Sequence, residues 1–176
     1  YTKALLPRLS FEVKSREKVV ITGFNGIGKS TLLKTLVGEI RPIGGFYYFS
    51  ENTKIAYFEQ EFHWENPDES PLEWISDRVP KMLNSEIRKY LSLCGLKAEY
   101  AFQPLKTLSG GEQAKVKICA LMIQKCNFLI LDEPTNHLDA DSKEVLKNEL
   151  SKWPGALILV SHESKFYRNW CDRVID

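Results

Sequence analysis

The feature that most constrains the fold of this 176-residue chain is a glycine-rich segment, GFNGIGKS, at residues 23–30. The run before it, residues 18–22, is rich in β-branched residues, as buried strands are. Residues 29–37 carry apolar side chains at helical spacing and stop at Gly38, a common residue at helix ends. The segment therefore joins a strand to a helix, which predicts an α/β fold.

The spacing of residues 23–30 matches GxxxxGK[ST], the phosphate-binding P-loop. Its glycines let backbone N–H groups point at phosphate oxygens, and the helix that starts at Lys29 adds the positive end of its dipole. Lys29 is predicted to neutralise the outer phosphates of ATP, and Ser30 to bind Mg²⁺. The alternative, a plain glycine-rich turn, requires the four fixed positions to match by accident. The predicted ATP-binding residues are Gly23, Asn25, Gly26, Gly28, Lys29, Ser30 and Thr31.

The rest of the first half contains further strand-like runs and then a change of character. Strands are predicted at residues 9–13, 46–49 and 54–58, the last two as an antiparallel β edge. Between residues 61 and 107, prolines bracket segments of helical period and no strand-like run occurs. This stretch is therefore predicted to be a helical subdomain inserted into the α/β core.

The second half alternates helices with short apolar runs. Residues 128–131 and 156–160 are predicted to be buried strands. Helices are predicted from Ser109 to about residue 125, over 142–153 and over 164–170. Strands that alternate with helices form a mostly parallel sheet covered on both faces.

The first of these buried strands ends in two carboxylates, Asp132 and Glu133. The C-terminal ends of parallel strands face the crevice where α/β folds bind ligands. Asp132 is therefore predicted to hold Mg²⁺, and Glu133 to orient and deprotonate the attacking water. Solvated acids at a strand end are a common alternative, but the P-loop upstream favours the catalytic interpretation.

Composition excludes some classes of function and leaves others open. With 43% hydrophobic and 27% charged residues the chain has the composition of a globular protein, and runs such as 156–160 are far shorter than a membrane span. The net charge of +1 gives no general attraction to nucleic acid or anionic lipid. The four cysteines show neither CxxC pairing nor a nearby histidine at ligand spacing, which indicates reduced thiols in a cytoplasmic protein.

The segment LSGGEQ at residues 108–113, the signature segment below, carries the family resemblance. Ser109 and two glycines open a helix, so the serine hydroxyl and the first N–H groups can bind a phosphate, although a plain helix N-cap is the alternative. The segment resembles the signature of ABC ATPases, whose motif order the whole chain follows. The resemblance implies the P-loop NTPase fold of the ABC ATPase core, with Ser109, Gly110, Gly111 and Glu112 at ATP held by another domain.

Several further roles follow from the ABC resemblance alone. Gln60 matches the glutamine that senses Mg²⁺ and the lytic water, and His162 matches the switch histidine at the γ-phosphate. Tyr1 lies near the position of the aromatic residue that stacks on adenine, and Asp139 matches the loop that crosses the dimer interface. The implied catalytic set is Glu133, His162, Gln60 and Lys29, and the implied Mg²⁺ set is Ser30, Gln60 and Asp132. The implied partner is a second ABC domain, in the same chain or in a homodimer.

The motif that distinguishes among ABC proteins is NHLD at residues 136–139. Transporter domains commonly read SALD there, whereas NHLD resembles the ABC-F subfamily, proteins with two ATPase domains of which many act on the ribosome.

Only 47 residues separate Gln60 from Leu108, which leaves no room for the helical arm that the first ATPase domain of that subfamily carries. The spacing therefore favours the second ATPase domain. We therefore expect residues 1–176 to be one ABC domain of a longer two-domain chain. The role is expected to be in translation or in ribosome protection against antibiotics, with ribosome contacts made by other parts of the protein. A subunit that powers a membrane transporter is the alternative.

Three positions depart from the family pattern. Phe24 replaces the usual proline of the P-loop, Arg16 stands where glycine normally precedes Glu17, and Glu163 replaces an aspartate. None of these changes removes a group that the chemistry needs. We expect an ATPase that is slow or inactive as an isolated monomer, with no direct insertion into a membrane.

Overall fold

The computed structural model describes residues 9–59 and 64–176. Tyr1 and Gln60, two of the predicted site residues, lie outside these ranges. The described elements, in chain order, are β1 (Lys18–Ile21), α1 (Lys29–Leu36), β2 (Ile55–Phe58), α2 (Pro71–Arg78), α3 (Asn84–Leu93), short 3₁₀ turns at Ala98–Phe102 and Leu105–Thr107, α4 (Gly110–Ile123), β3 (Phe128–Asp132), α5 (Ala140–Lys152), β4 (Ala156–Val160), α6 (Ser164–Tyr167) and β5 (Arg173–Ile175).

The strands form one sheet in the order β2-β3-β4-β1-β5. β1 pairs in parallel with β4 and β5, and β3 pairs in parallel with β4 from Phe128 opposite Ala156 to Asp132 opposite Val160. Every residue of β3 and β4 is buried, as expected for central parallel strands that are covered on both faces. The predicted α/β class with a mostly parallel sheet is confirmed.

The chain forms two compact units, and each is described by itself. The first contains the described residues up to 57 together with 126–133 and 153–176. Its core includes Ile21, Leu33, Ile130 and Ile158, which are almost inaccessible to solvent. Apolar residues of β1, α1, β3 and β4 therefore meet in one cluster that holds the strand ends in place.

The second unit contains residues 58–125 and 134–152. Here α3 packs against both α2 and α4. α2 begins with a capping box, because the Ser70 hydroxyl accepts from the backbone N–H of Glu73 while the Glu73 carboxylate accepts from the backbone N–H of Ser70. Pro71 stands at the first helical position, where its missing N–H costs nothing. The helical character predicted for residues 61–107 is confirmed in the described part of that stretch.

Two predicted strands are wrong, and one strand was missed. Residues 9–13 and 46–49 form no strand, so the antiparallel β edge is not present among the described residues. Their apolar residues serve packing instead: Phe11, Val13 and Phe49 lie against the core, whereas Phe46 is 90% exposed. The missed strand is β5, which follows α6 in the chain. α6 itself ends at Tyr167, three residues earlier than predicted.

The turn before β1 shows the consequence of one departure from the family pattern. Arg16 has a φ of 66°, a left-handed conformation that favours glycine. This backbone conformation therefore costs arginine more conformational free energy than it would cost glycine.

Candidate nucleotide-binding site

The P-loop of the first unit runs from the end of β1 into α1. Gly26 and Gly28 have φ values of 81° and 107°, which turn the backbone back on itself ahead of the helix. The first backbone bond of the helix runs from the Leu32 N–H to the Gly28 carbonyl at 2.8 Å, and no side chain caps the helix start. The N–H groups of the first turn are therefore directed toward the space where an anion would bind.

Lys29 is buried, with 8% of its surface exposed, and its ammonium lies over the P-loop. Its Nζ donates to the carbonyl oxygens of Gly23 at 2.7 Å and Phe24 at 3.0 Å. These carbonyls hold the cation within the loop that the sequence assigns to phosphate. The ammonium is therefore available as the counter-charge for phosphate oxygens at this position.

Asp132 lies at the C-terminal end of β3 and is 1% exposed. Burial raises the pKa of its carboxyl group, and the Ser30 hydroxyl and the Lys29 charge act in the opposite direction. Within the described part of the chain, Asp132 Oδ1 is buried without a hydrogen-bond partner. A buried acceptor of this kind needs a hydrogen-bond donor or a bound cation.

Glu133 follows directly, in a left-handed conformation with a φ of 46°. Its backbone N–H donates to the Val160 carbonyl at 3.0 Å, which ties it to the end of β4. Its Oε1 lies 3.2 Å from Nε2 of His162, which follows β4 by two residues. Burial raises the pKa of Glu133, while His162 lowers it. The structure thus brings together the predicted base and the predicted switch histidine.

The residues present fit a magnesium ion. Mg²⁺ prefers oxygen ligands and is usually held by one or two protein groups together with water and substrate phosphates. The unpartnered Asp132 Oδ1 and the hydroxyl of Ser30, which is close enough to affect the Asp132 pKa, supply that kind of donor set. Gln60, the third predicted ligand, lies outside the described residues.

The signature segment lies in the second unit, where Ser109 is the N-cap of α4. The Ser109 hydroxyl donates to Glu112 Oε2 at 2.8 Å and accepts from the Glu112 N–H, while the Ser109 N–H donates to the same carboxylate at 2.7 Å. The structure thus shows the capping arrangement that was the alternative interpretation. A phosphate at this helix start would have to draw the hydroxyl away from Glu112.

Gly111 of the signature segment packs against the loop that carries Asn136 and His137. A Cβ at Gly111 would lie 2.7 Å from the His137 carbonyl oxygen, a backbone atom that cannot turn away. At Gly110 the nearest atoms, in the His137 ring, would lie at 3.8 Å, an ordinary contact. The two loops are therefore fitted to each other at Gly111 and not at Gly110.

This fit predicts opposite outcomes for the same substitution at neighbouring positions. Gly111→Ala is expected to destabilise the domain by about 1–3 kcal/mol because the His137 backbone must shift. Gly110→Ala is expected to be neutral or to stabilise by up to about 1 kcal/mol, since alanine favours a helix over glycine. Urea unfolding of both variants measures the difference, and equal midpoints would contradict the packing described.

Asp139 has local partners within the second unit. Its Oδ1 accepts from the Ser142 N–H at 2.8 Å at the start of α5, and its Oδ2 accepts from Lys115 Nζ at 2.9 Å. The Ser142 hydrogen bonds and the Lys115 pair lower the pKa of Asp139. Asp139 therefore stays ionised over the physiological range and links α4 to the start of α5.

The predicted residues divide between the units. The first unit brings together the P-loop, with Gly23, Asn25 and Thr31, and the Asp132, Glu133 and His162 side chains; the second unit holds the signature segment and Asp139. One contact of the signature helix was not predicted from the sequence, the hydrogen bond between Trp64 and Gln113. Over the ranges that the structure describes, no helix has both the length and the apolar character needed to cross a bilayer.

Comparison with known sequences places this site among related ones. The family model described as "ABC transporter" matches residues 6–136. An uncharacterized ABC transporter ATP-binding protein, YfmM of Bacillus subtilis, is 42% identical over 167 residues, which is 95% of this chain and 32% of that protein. The human ATP-binding cassette sub-family F member 3 is 38% identical over 169 residues, 95% of this chain and 24% of that protein. The chain thus spans a third or less of the length of these relatives.

Two solved structures resemble the fold. A dimeric post-hydrolysis state of the ATP-binding cassette MJ0796, bound to ADP and phosphate, superposes with a TM-score of 0.81 at 24% identity over 97% of this chain and 85% of that one. The archaeal ribosome recycling factor aABCE1, in complex with the ribosomal stalk protein aP1, gives a TM-score of 0.78 at 27% identity over 92% of this chain and 32% of that one. The fold is that of ABC ATPase domains.

Proposed function

Because this chain belongs to the ABC transporter ATP-binding domains and has sub-family F proteins among its relatives, we propose that it binds ATP with Mg²⁺ and hydrolyses it. The observation that carries the proposal is the pair that buried Glu133 forms with the exposed His162 at the strand ends. Lys29 and Asp132 of the same unit are buried beside it. A base, a histidine and a cation-binding carboxylate on one rigid sheet edge are the groups that phosphoryl transfer to water requires.

Each of the predicted site residues in the first unit has a task in this reaction. The P-loop N–H groups bind the phosphates, and Lys29 exchanges its carbonyl contacts for phosphate oxygens. Asp132 and Ser30 would hold Mg²⁺, which neutralises charge on the β- and γ-phosphates. Glu133 orients the water and takes its proton, and His162, 3.2 Å from that carboxylate, steadies the γ-phosphate. Gln60 and Tyr1 are proposed to complete the Mg²⁺ and adenine contacts.

The complete site is proposed to need a second ABC domain. Ser109 and the first N–H groups of α4 would suit a phosphate once the Ser109 hydroxyl leaves Glu112. They belong to the second unit and serve the ATP of the partner domain in this proposal. The related cassette MJ0796 is described as a dimer bound to ADP and phosphate, which supports pairing of such domains. The chain is accordingly proposed to be one of the two ABC domains of a longer cytoplasmic protein.

A role at the ribosome is proposed for that longer protein. Three observations support it: the NHLD motif at residues 136–139, the sub-family F relatives, and the similarity to the archaeal ribosome recycling factor. In this proposal ATP-driven closure of two ABC domains moves parts of the protein outside residues 1–176. Powering a membrane transporter is the second candidate, supported by the family description alone.

The experiment is co-sedimentation of the full-length protein with ribosomes. The protein carries Glu133→Gln and the equivalent change in its other ABC domain, so that bound ATP is not consumed. Ribosome pelleting that depends on ATP and is lost with ADP is the expected result. Binding to ribosomes that ignores the nucleotide, or co-purification with a membrane subunit instead, would contradict the translation role.

A further inference from the structure

Trp64 makes a specific contact with the signature helix. It precedes α2 in the second unit, and its indole Nε1–H donates to Oε1 of Gln113 at 2.7 Å. Gln113 lies in the first turn of α4, 49 positions along the chain. The indole N–H is the single polar donor of a tryptophan side chain, and here it is used on the signature segment.

Gln113 passes this contact on to the turn before Ser109. The Gln113 Nε2 donates to the Leu108 carbonyl at 2.9 Å, and the Gln113 backbone N–H donates to the Ser109 carbonyl at 2.9 Å. Leu108 is buried, so this carbonyl is part of a fixed turn. The side-chain amide of Gln113 therefore has its oxygen held by Trp64 and its nitrogen holding the residue that precedes the N-cap.

The indole is itself held in place. Trp74 meets it edge to face, with ring centroids 4.9 Å apart. Lys117 Nζ lies 4.6 Å from the Trp64 ring and 5.1 Å from the Trp74 ring, and Arg78 lies over the other tryptophan at 3.8 Å. Since Lys117 is one helical turn beyond Gln113, α4 contacts Trp64 at two points. Rotation of the indole is thus restricted on its face and at its polar edge.

We propose that Trp64 is a positioning residue for the signature segment. Through the Gln113 side chain it fixes the Leu108 carbonyl, and with it the direction in which Ser109 and the first N–H groups of α4 point. The proposal rests on the proposed function, because those groups act on ATP held by the partner domain. Trp64 touches neither nucleotide nor metal in this scheme and acts only through Gln113.

The test replaces Trp64 with phenylalanine in the full-length protein, which keeps an aromatic ring and removes the N–H. We expect kcat to fall about three- to tenfold, the loss that one hydrogen bond accounts for, while KM for ATP stays unchanged. The matched control is Trp74→Phe, which alters the same ring pair without removing the bond to Gln113. Its kcat is expected to stay within about twofold of the parent. Equal losses in both variants would overturn the proposal in favour of ring packing.

A spectroscopic measurement separates orientation from folding. In ¹⁵N-labelled protein the Trp64 indole signal is assigned by its disappearance in Trp64→Phe. Gln113→Ala removes the acceptor and is expected to move that signal and speed its hydrogen exchange, whereas Gln113→Glu keeps an acceptor oxygen and is expected to leave exchange slow. An indole signal indifferent to Gln113→Ala would overturn the proposal.

ATP retention distinguishes this inference from the proposed function. With Glu133→Gln and the equivalent change in the other ABC domain, ATP is expected to stay bound through rapid desalting. Adding Trp64→Phe is expected to release it about three- to tenfold faster. Equal retention with and without Trp64→Phe would refute the positioning role and leave the proposed function standing. No retention in the parent Glu133→Gln protein would refute the proposed function and this inference with it.

Discussion

Replacing Glu133 with glutamine is expected to lower kcat for ATP hydrolysis by about 10²–10⁴-fold while ATP remains bound. Glutamine has nearly the same shape but cannot accept a proton from water. The substitution also leaves the left-handed backbone of this residue and its N–H bond to Val160 in place. The loss therefore falls on the chemical step, and release of phosphate under saturating ATP measures it.

The control for this variant is Glu149→Gln, the same chemical change on the exposed side of α5. It removes one negative charge without touching the strand ends, so kcat should match that of the parent. If Glu133→Gln turned over ATP as fast as Glu149→Gln, the catalytic base would have to be a different residue, and the 3.2 Å contact with His162 would be structural only.

Gly155→Ala is the second substitution with a large expected effect, here on stability. A Cβ at Gly155 would lie 2.5 Å from the Asn127 carbonyl oxygen and 2.6 Å from Trp153 Nε1. That same carbonyl accepts the Ala156 N–H at 3.0 Å, where the β3–β4 ladder begins. The clash thus falls on the paired strands whose far ends carry Asp132 and Glu133. A loss of about 2–3 kcal/mol in the free energy of unfolding is expected.

Gly44→Ala is the matched control for that change. An added Cβ at Gly44 meets nothing within 4 Å, and no left-handed backbone constrains the residue. Its urea midpoint should lie close to that of the parent, while Gly155→Ala unfolds at a clearly lower concentration. Midpoints that coincide would mean that the turn into β4 can shift without disturbing the sheet.

The sequence predicted the part of the fold that local patterns determine. The P-loop spacing fixed the β1–α1 junction, because glycines, a lysine and a serine at those intervals have one common structural use. The runs of residues 128–131 and 156–160 are apolar throughout, and a strand buried on both faces is the form that such runs take. Two carboxylates at the end of the first run could therefore be placed at the sheet edge in advance.

The strand predictions that failed were those for segments whose apolar pattern had another cause. Residues 46–49 are all aromatic. The first three are exposed, and Phe49 meets Phe128 edge to face at 5.6 Å without joining the ladder. Periodicity reports which side chains are buried and does not report hydrogen-bonded pairing. The short β5 was missed for the reverse reason, since Arg173 and two aliphatic residues at an edge make too brief a pattern.

The Trp64 contact could not be predicted from spacing. Its partner Gln113 is 49 positions away in the chain, and no local pattern connects the two residues. The signal that existed was the glutamine at the end of the signature segment, an amide with no task in phosphate binding. Local patterns reveal the groups that meet the ligand, whereas the residues that orient those groups depend on tertiary contacts.

We propose that this domain holds only part of each catalytic site and that a partner domain supplies the signature segment. The most direct measurement is the ATPase rate per chain of the isolated domain over a wide range of protein concentration, with the full-length protein as reference. We expect a low rate that rises with protein concentration as domains pair. A rate that is independent of concentration and equal to that of the full-length protein would contradict it.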